Sequence, residues 1–313
     1  LLLSCLKKKL RKKIVFIQPI SKNFTDIEKT LNFFFNEFNL EKEHIAILPP
    51  LSSEPYDEIP PSLDSISQRM KFFHKLKNNE AELIITNLFG LLKPFPRKSV
   101  LKNSFLSLGA GNFVKRDYLI KTFSEFGYIP QDLVNFPGEY AFRGAIIDIF
   151  SPWEDYPFRI ELSGNEVRSI RKFSPTTQRS IQTIKTITIP SLLEFPLNEE
   201  FIYSWIKNAE LKWSGLKFHN HIKEIKDSLE KKNPSPEMFY LSSIVQPFFT
   251  SFKEYFSDHL FIFDEPEQIK EEWENKKEKW TAMHKNASEK RKISLPSEEI
   301  SVSYTHLTLP TKA

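Results

Sequence analysis

The alternation of apolar runs and amphipathic segments predicts an α/β layer at the start of the chain. Three short runs rich in Ile, Leu and Val are typical of buried strands: "KIVFIQP" (13–19), "HIAILPP" (44–50) and "AELIITN" (81–87). The segment after the first run has apolar residues at helical spacing, Ile27, Leu31, Phe34 and Phe38, and a second helix is expected near 67–78. Continuous apolar strands separated by helices predict a parallel sheet covered on both faces.

From about Phe105 the pattern changes to that of a small mixed sheet. A short strand and a turn at "GAGN" lead into an expected helix, "KRDYLIKTFSEFGY", which has four aromatic or apolar residues at helical spacing: Tyr118, Leu119, Phe123 and Phe126. The segments that follow alternate with period two, which is typical of strands with one buried face.

The segment "FRIEL" fixes which side of one strand is buried. Its apolar residues Phe158, Ile160 and Leu162 share one face, and Arg159, Glu161 and Ser163 share the other. Burial of each apolar side chain contributes about 1.5–3 kcal/mol, so we expect Arg159 to face outward. "SGNE" supplies a turn, and "VRSIRKF" is the expected hairpin partner, with a bulge because Val167, Ile170 and Phe173 break the strict alternation.

After "TITIPS" the chain becomes polar and helical and then returns to the first layer. The apolar run "HLFIFDEPE" (259–267) predicts a further strand, and a charged helix is expected over 268–287. Ile269, Trp273 and Trp280 fall on one face of that helix.

Composition bounds the classes of protein that fit. A chain of 313 residues with 40% apolar content is long enough for two or three domains with buried cores. The net charge of +4 is too small to indicate nucleic-acid binding by itself. The single cysteine, Cys5, excludes an internal disulfide and a cysteine-rich metal site, and no apolar run reaches the roughly 20 residues of a membrane span. We therefore expect a soluble, cytoplasmic protein without a membrane partner.

Both termini are unusual. The chain begins with Leu1 rather than Met, which suggests that the reading frame is entered inside a gene. The segment 302–311, "VSYTHLTLPT", resembles a translated sequencing adapter, and we expect residues 302–313 to be a non-native tail.

Candidate catalytic chemistry is weak. Asp264 and Glu265 end an apolar run, as the acidic pair of a nucleotide hydrolase does, but no G-x-x-x-x-G-K-[ST] phosphate loop is present in these residues. The alternative is an acidic start to a helix. The letters "HNH" at His219–His221 are too short to define a nuclease and are expected to be solvated loop histidines. No catalytic residue, metal ligand or cofactor site is predicted in this chain.

Arg143 and Arg159 have two interpretations. Exposed arginines on a strand commonly form a solvated rim, here with Glu139, Asp148 or Glu161 as partners, and this is also what a generic α/β protein would show. Arginine is, however, enriched at interface hot spots.

The longest motif carries a family resemblance. "GEYAFRGAIIDIFSP" followed by "PFRIELSGNEVRSIRKFSPTTQRS" resembles the UvrA-interacting domain shared by UvrB and the transcription-repair coupling factors, the Mfd family. The ending "PTTQRS" and the earlier "LPPLSSEPYDEIPPS...ISQRM" resemble Mfd more than UvrB, whose tyrosine-rich hairpin is absent; Tyr56 alone occupies that proline-rich segment. A UvrB-type damage-verification helicase stays open as the alternative, which a phosphate loop upstream of the chain would favour.

The resemblance implies an N-terminal UvrB-like module. Its fold is a degenerate helicase-like parallel layer in two halves (1–104 and 191–301), with a small α+β UvrA-interaction domain (105–190) inserted between them. UvrA would be the partner, contacted through Arg143, Arg159 and the position of Ser163, where the family has an aromatic residue. Binding of RNA polymerase and double-stranded DNA, and the ATP- and Mg²⁺-dependent motor, would belong to other domains. Asp264 and Glu265 would then be a degenerate, inactive pair.

Overall fold

A computed structural model describes residues 12–37 and 45–300. Cys5, Phe38 and the tail that was expected at 302–313 lie outside these residues. The elements before residue 105 are, in chain order, β1 (Ile14–Gln18), α1 (Phe24–Glu37), β2 (Ile45–Leu48), α2 (Leu63–Lys77), β3 (Leu83–Asn87), α3 (Leu88–Leu92), β4 (Phe95–Pro96) and α4 (Lys98–Lys102).

The following segment is rich in strands. Its elements are β5 (Phe105–Gly109), α5 (Arg116–Glu125), β6 (Ile129–Pro130), β7 (Glu139–Arg143), β8 (Ile146–Ile149), β9 (Phe158–Ser163), β10 (Glu166–Phe173), β11 (Ser180–Ile184) and β12 (Thr186–Pro190). The rest of the described chain is largely helical, with α6 (Glu199–Lys212), α7 (His219–Glu230), α8 (Met238–Leu241), β13 (Phe249–Thr250), α9 (Phe252–Tyr255), β14 (Leu260–Phe263), α10 (Pro266–Glu289) and α11 (Ser297–Ile300).

The predicted parallel layer is confirmed. Its strands pair in the order β14–β1–β3–β2, all parallel. Alternate residues of β1 enter two separate cores, Val15 and Ile17 on one side and Ile14 and Phe16 on the other, so both faces of the sheet are covered. The return of the chain to this sheet through β14 is also confirmed, and Ile269, Trp273 and Trp280 are buried on α10.

The helix expected near 67–78 begins earlier. It starts at Leu63, because the side chain of Ser62 caps it by accepting a hydrogen bond from the backbone N–H of Ser65. In the first helix Leu31 is buried, and Ile27 and Phe34 are half-buried.

The strands that lie between β5 and β12 in the chain form a mixed sheet, as expected. Its strands follow the order β11–β10–β9–β8–β7–β6, antiparallel except for the parallel pair β6–β7. Phe158, Ile160 and Leu162 are buried on one face beneath α5, and the predicted bulge lies in β10 between Val167 and Ser169. Of the four residues at helical spacing in this region, Leu119, Phe123 and Phe126 are buried, whereas Tyr118 is 55% exposed.

A buried charge cluster ties the chain beyond this sheet to the parallel layer. The carboxylate of Glu194 accepts hydrogen bonds from Arg69 on α2, through Nε and through Nη2 at 3.1 Å, and from Lys93 Nζ at 3.0 Å. Arg69 Nη1 also donates to the carbonyl oxygen of Pro49 at 2.7 Å. Burial would raise the pKa of Glu194, but the two cations outweigh it and hold the pKa at about 2.

Candidate functional site

The candidate site lies on one face of the mixed sheet, opposite the buried face of β9. We call this the outer face and define it by the residues that point away from the core on β7, β8, β9 and β10: Arg143, Ile146, Asp148, Arg159, Glu161, Ser163, Glu166 and Arg168. The alternation of β9 that placed Arg159 and Ser163 together on this face is confirmed, because the intervening Ile160 and Leu162 are buried.

A single buried carboxylate organises the two candidate arginines. Asp148 is 0% exposed and lies directly across from Arg159 in the β8–β9 pair. Arg159 donates from Nε to Oδ1 and from Nη2 to Oδ2, both at 2.8 Å, and Arg143 donates from Nη2 to Oδ2. Of the three carboxylates considered as partners from the sequence, Asp148 is therefore the one that pairs with both arginines.

Arg159 is more enclosed than the sequence predicts. Its side chain is only 16% exposed, because the guanidinium lies 4.3 Å from the ring centroid of Phe173 and also donates to the backbone and side-chain oxygens of Gln178, both at 3.1 Å. The hydrogen bonds to Asp148 raise the pKa of Arg159 above its ordinary value. Arg159 thus lies on the outer face, as its alternation predicts, but its guanidinium group is used mainly within the protein.

Arg143 is the arginine that stays available. Its side chain is 42% exposed, and across residues 12–37 and 45–300 its hydrogen bonding is limited to the one donated to Asp148. The remaining guanidinium donors can reach a carboxylate or carbonyl of another molecule. Asp148 fixes the orientation of this side chain, which lowers the entropy that binding would cost.

A second carboxylate on the outer face, that of Glu161, also pairs with two arginines. Glu161, 29% exposed, accepts hydrogen bonds from Arg171 at 2.7 Å and from Arg168 at 3.5 Å, and Arg168 is 71% exposed. Asp148 and Glu161 lie beneath guanidinium groups, whereas Glu166 is an exposed carboxylate of the same face. The exposed guanidinium groups present hydrogen-bond donors, which suit carboxylates or carbonyls of another protein.

Ser163 ends β9 at the edge of the outer face. Its side chain is exposed, it pairs with Glu166 across the hairpin, and Gly164 in the turn has φ +62°, which explains a glycine there. The structure therefore places Arg143, Arg159 and Ser163 on one continuous face.

Two further residues on this face were not predicted from the sequence. Ile146 is 36% exposed between Arg143 and Glu161, its partners in the neighbouring strands. Phe113 pairs with Glu166 through an isolated antiparallel bridge and is strongly exposed. Phe113 precedes a helix in an irregular segment, so no periodicity could have assigned it to a face.

The acidic pair lies on the other sheet, apart from the arginines. Asp264 and Glu265 follow β14, and Lys22 Nζ lies 2.7 Å from a carboxylate oxygen of each. Hydrogen bonding to Asp264, and then to Glu265, raises the pKa of Lys22. Glu265 precedes α10, but its side chain does not form a cap hydrogen bond with the helix. The pair thus holds a lysine rather than capping the helix.

The histidines of the "HNH" segment are not loop residues. They begin α7, where His221 Nδ1 accepts a hydrogen bond from the backbone N–H of Ile293 at 3.0 Å and Nε2 lies 3.1 Å from Glu237. His221 is thus a structural, half-buried residue. In the part of the chain that the structure covers, no cluster of His, Cys, Asp and Glu could hold a metal ion. None of its helices is both long and apolar enough to span a bilayer.

Comparison with known proteins identifies the segment that contains the outer face. Residues 106–195 match the family model for the UvrB interaction domain. The transcription-repair-coupling factor of Bacillus subtilis is 35% identical over 134 residues, which are 43% of this chain and 11% of that protein. The Escherichia coli factor is 27% identical over 203 residues, 64% of this chain and 17% of its own length.

A third relative extends over more of the chain. The factor of Staphylococcus aureus strain MRSA252 is 25% identical over 260 residues, 80% of this chain and 20% of that protein. The chain thus spans about a tenth to a fifth of the length of these relatives. Residues 106–195 thus match the UvrB interaction domain, and the chain is similar to transcription-repair-coupling factors over part of its length.

Proposed function

We propose that the outer face binds UvrA and so recruits nucleotide excision repair to a stalled RNA polymerase. The observation that carries the proposal is the exposed guanidinium of Arg143, fixed by the buried Asp148 within the segment that matches the UvrB interaction domain. A pre-oriented arginine in a domain whose name describes an interaction supports a binding role.

Arg143 and Arg159 have different roles in this proposal. Arg143 donates hydrogen bonds to carboxylates or carbonyls of UvrA, and Arg159 positions Asp148, which in turn positions Arg143. Exposed Arg168 adds further guanidinium donors for carboxylates or carbonyls of the partner. Ser163 lies at the edge of the contact and supplies little apolar area to it.

In this proposal, the other activities of a coupling factor belong to other parts of the protein. Contacts with RNA polymerase and double-stranded DNA, and the ATP- and Mg²⁺-dependent motor, belong to segments other than residues 12–300. The parallel sheet that β14 completes beside β1 is the degenerate helicase-like layer, and Lys22 pairs with both carboxylates of its acidic pair. A cytoplasmic location follows from these partners.

Competition between this chain and UvrB tests the proposal. The resemblance is to a domain shared with UvrB, so both should occupy one site on UvrA. The labelled chain should bind purified UvrA saturably, and unlabelled UvrB should displace it in proportion to its concentration. Absence of saturable binding would refute the proposal, and binding that excess UvrB leaves unchanged would refute a shared site.

A further inference from the structure

We propose that Phe113 is an aromatic anchor of the outer face, a ring that inserts into an apolar pocket of the bound protein. This inference rests on the proposed function, since it names a residue of the same contact. Phe113 is 79% exposed, although burial of a phenylalanine ring is ordinarily favourable.

Backbone pairing fixes the side of the sheet on which the ring lies. The backbone N–H of Val114 donates to the carbonyl oxygen of Asn165 at 2.7 Å, and that of Val167 donates to the carbonyl oxygen of Asn112 at 2.8 Å. These two bonds flank the Phe113–Glu166 bridge, which is therefore a non-hydrogen-bonded antiparallel pair. Residues opposed in this way have their side chains on the same face.

Glu166 connects Phe113 to the outer face. It pairs with Phe113 on one side and with Ser163 on the other, so the three residues form one row across neighbouring strands. Strands are spaced by about 4.8 Å, which places Phe113 roughly 10 Å from Ser163. A contact that includes Ser163 and the arginines of β7 and β9 extends to Phe113 without crossing the core.

The segment that presents the ring is held in place. The backbone N–H of Gly111 donates to the carbonyl oxygen of Val167 at 2.8 Å, and the side chain of Asn112 accepts from the backbone N–H of Gly109 at 2.7 Å. Gly111 has φ +86°, which permits the turn. Because the backbone that carries Phe113 is already held, binding of the ring need not order this segment, which lowers the entropy that binding would cost.

Aromatic and arginine side chains together are typical of binding hot spots. Phe113 supplies the ring, and Arg143 and Arg168 supply exposed guanidinium groups on the same face. The partner surface that matches this combination is an apolar pocket with carboxylates on the side of Arg143 and Arg168 and none beside the exposed Glu166. On UvrA, such a pocket would receive Phe113 while the carboxylates meet the arginines.

Calorimetric titration of UvrA with the full chain and three variants tests the inference. Phe113→Ala should weaken binding about tenfold or more, whereas Phe113→Tyr, which keeps the ring, should stay within about threefold of the parent. The matched control is Tyr203→Ala, which removes a 70% exposed aromatic side chain from α6 and should leave the dissociation constant unchanged. Thermal unfolding of each variant checks that the fold is retained.

The outcomes separate the two proposals. Parent binding that Phe113→Ala leaves within about twofold overturns the role of Phe113 and leaves the proposed function standing. Equal weakening by Phe113→Ala and Tyr203→Ala also overturns it, because the effect would then be unspecific. Failure of the parent chain to bind UvrA overturns the proposed function, and the anchor with it.

Discussion

Arg159 donates two parallel hydrogen bonds, both of 2.8 Å, to the buried carboxylate of Asp148. The geometry is that of a bidentate ion pair, the strongest arrangement of these two groups. Because Asp148 is fully buried, this pair is part of the internal structure of the sheet as well as of its outer face. Arg143 binds the same carboxylate from a more exposed position.

Replacement of the two arginines should therefore lower the free energy of unfolding by different amounts. Arg159→Ala should lower the free energy of unfolding by about 1–3 kcal/mol, because it removes two hydrogen bonds from a buried carboxylate. Arg143→Ala should lower it by less than about 1 kcal/mol, since that side chain is 42% exposed and Arg159 still pairs with Asp148. Urea unfolding followed by circular dichroism measures both, and equal losses would contradict the division of roles.

Ser163 should limit affinity without preventing binding. Ser163→Phe adds apolar area at the edge of the outer face and should tighten UvrA binding by about fivefold, on the order of 1 kcal/mol. Calorimetry gives the dissociation constant of each chain. Ser163→Ala serves as the control, because it alters the position without adding a ring. Unchanged binding of Ser163→Phe would place residue 163 outside the contact, and weaker binding would contradict the expected gain from the added ring.

Glu194 should be a stability determinant. Glu194→Gln removes the charge between Arg69 and Lys93 and leaves two buried cations without a counterion. The free energy of unfolding should fall by about 3–5 kcal/mol. Glu58→Gln is the matched control, because its ion pair with Lys292 is at the surface. A loss at Glu194 no larger than that at Glu58 would refute this assignment.

The ionised carboxylate of Glu194 should make part of the free energy of unfolding sensitive to acid. The pKa of Glu194 is about 2 in the folded chain, against an ordinary value of 4.5. A depressed pKa contributes stability above the ordinary value, and that contribution is lost as pH falls from 4.5 towards 2. Unfolding free energies measured across this window should fall more steeply for the parent than for Glu194→Gln. Parallel curves would contradict the depressed pKa.

Local periodicity predicted much of the fold, because it depends on neighbouring residues. The alternation in β9 assigned Phe158 and Ile160 to the core and Ser163 to the outer face. The irregular spacing in β10 indicated its bulge, and the apolar run at β14 indicated a return to the first sheet. Each of these features is encoded within about ten consecutive residues.

The features that the sequence could not predict depend on long-range pairing. The burial of Asp148 follows from the register of β8 against β9, which sets it opposite Arg159. Glu194 meets Arg69 across 125 residues, and no local pattern indicates that contact. Phe113 joins the outer face only because its segment pairs with the start of β10 at Glu166.

Calorimetric titration of UvrA with the full chain and with its Arg143→Ala/Arg159→Ala variant measures whether the outer face binds UvrA. Truncation of interface arginines typically costs about 2–5 kcal/mol, so the parent should bind saturably and the variant should lose most of that binding while retaining a cooperative unfolding transition. Undiminished binding by the folded variant would contradict the account.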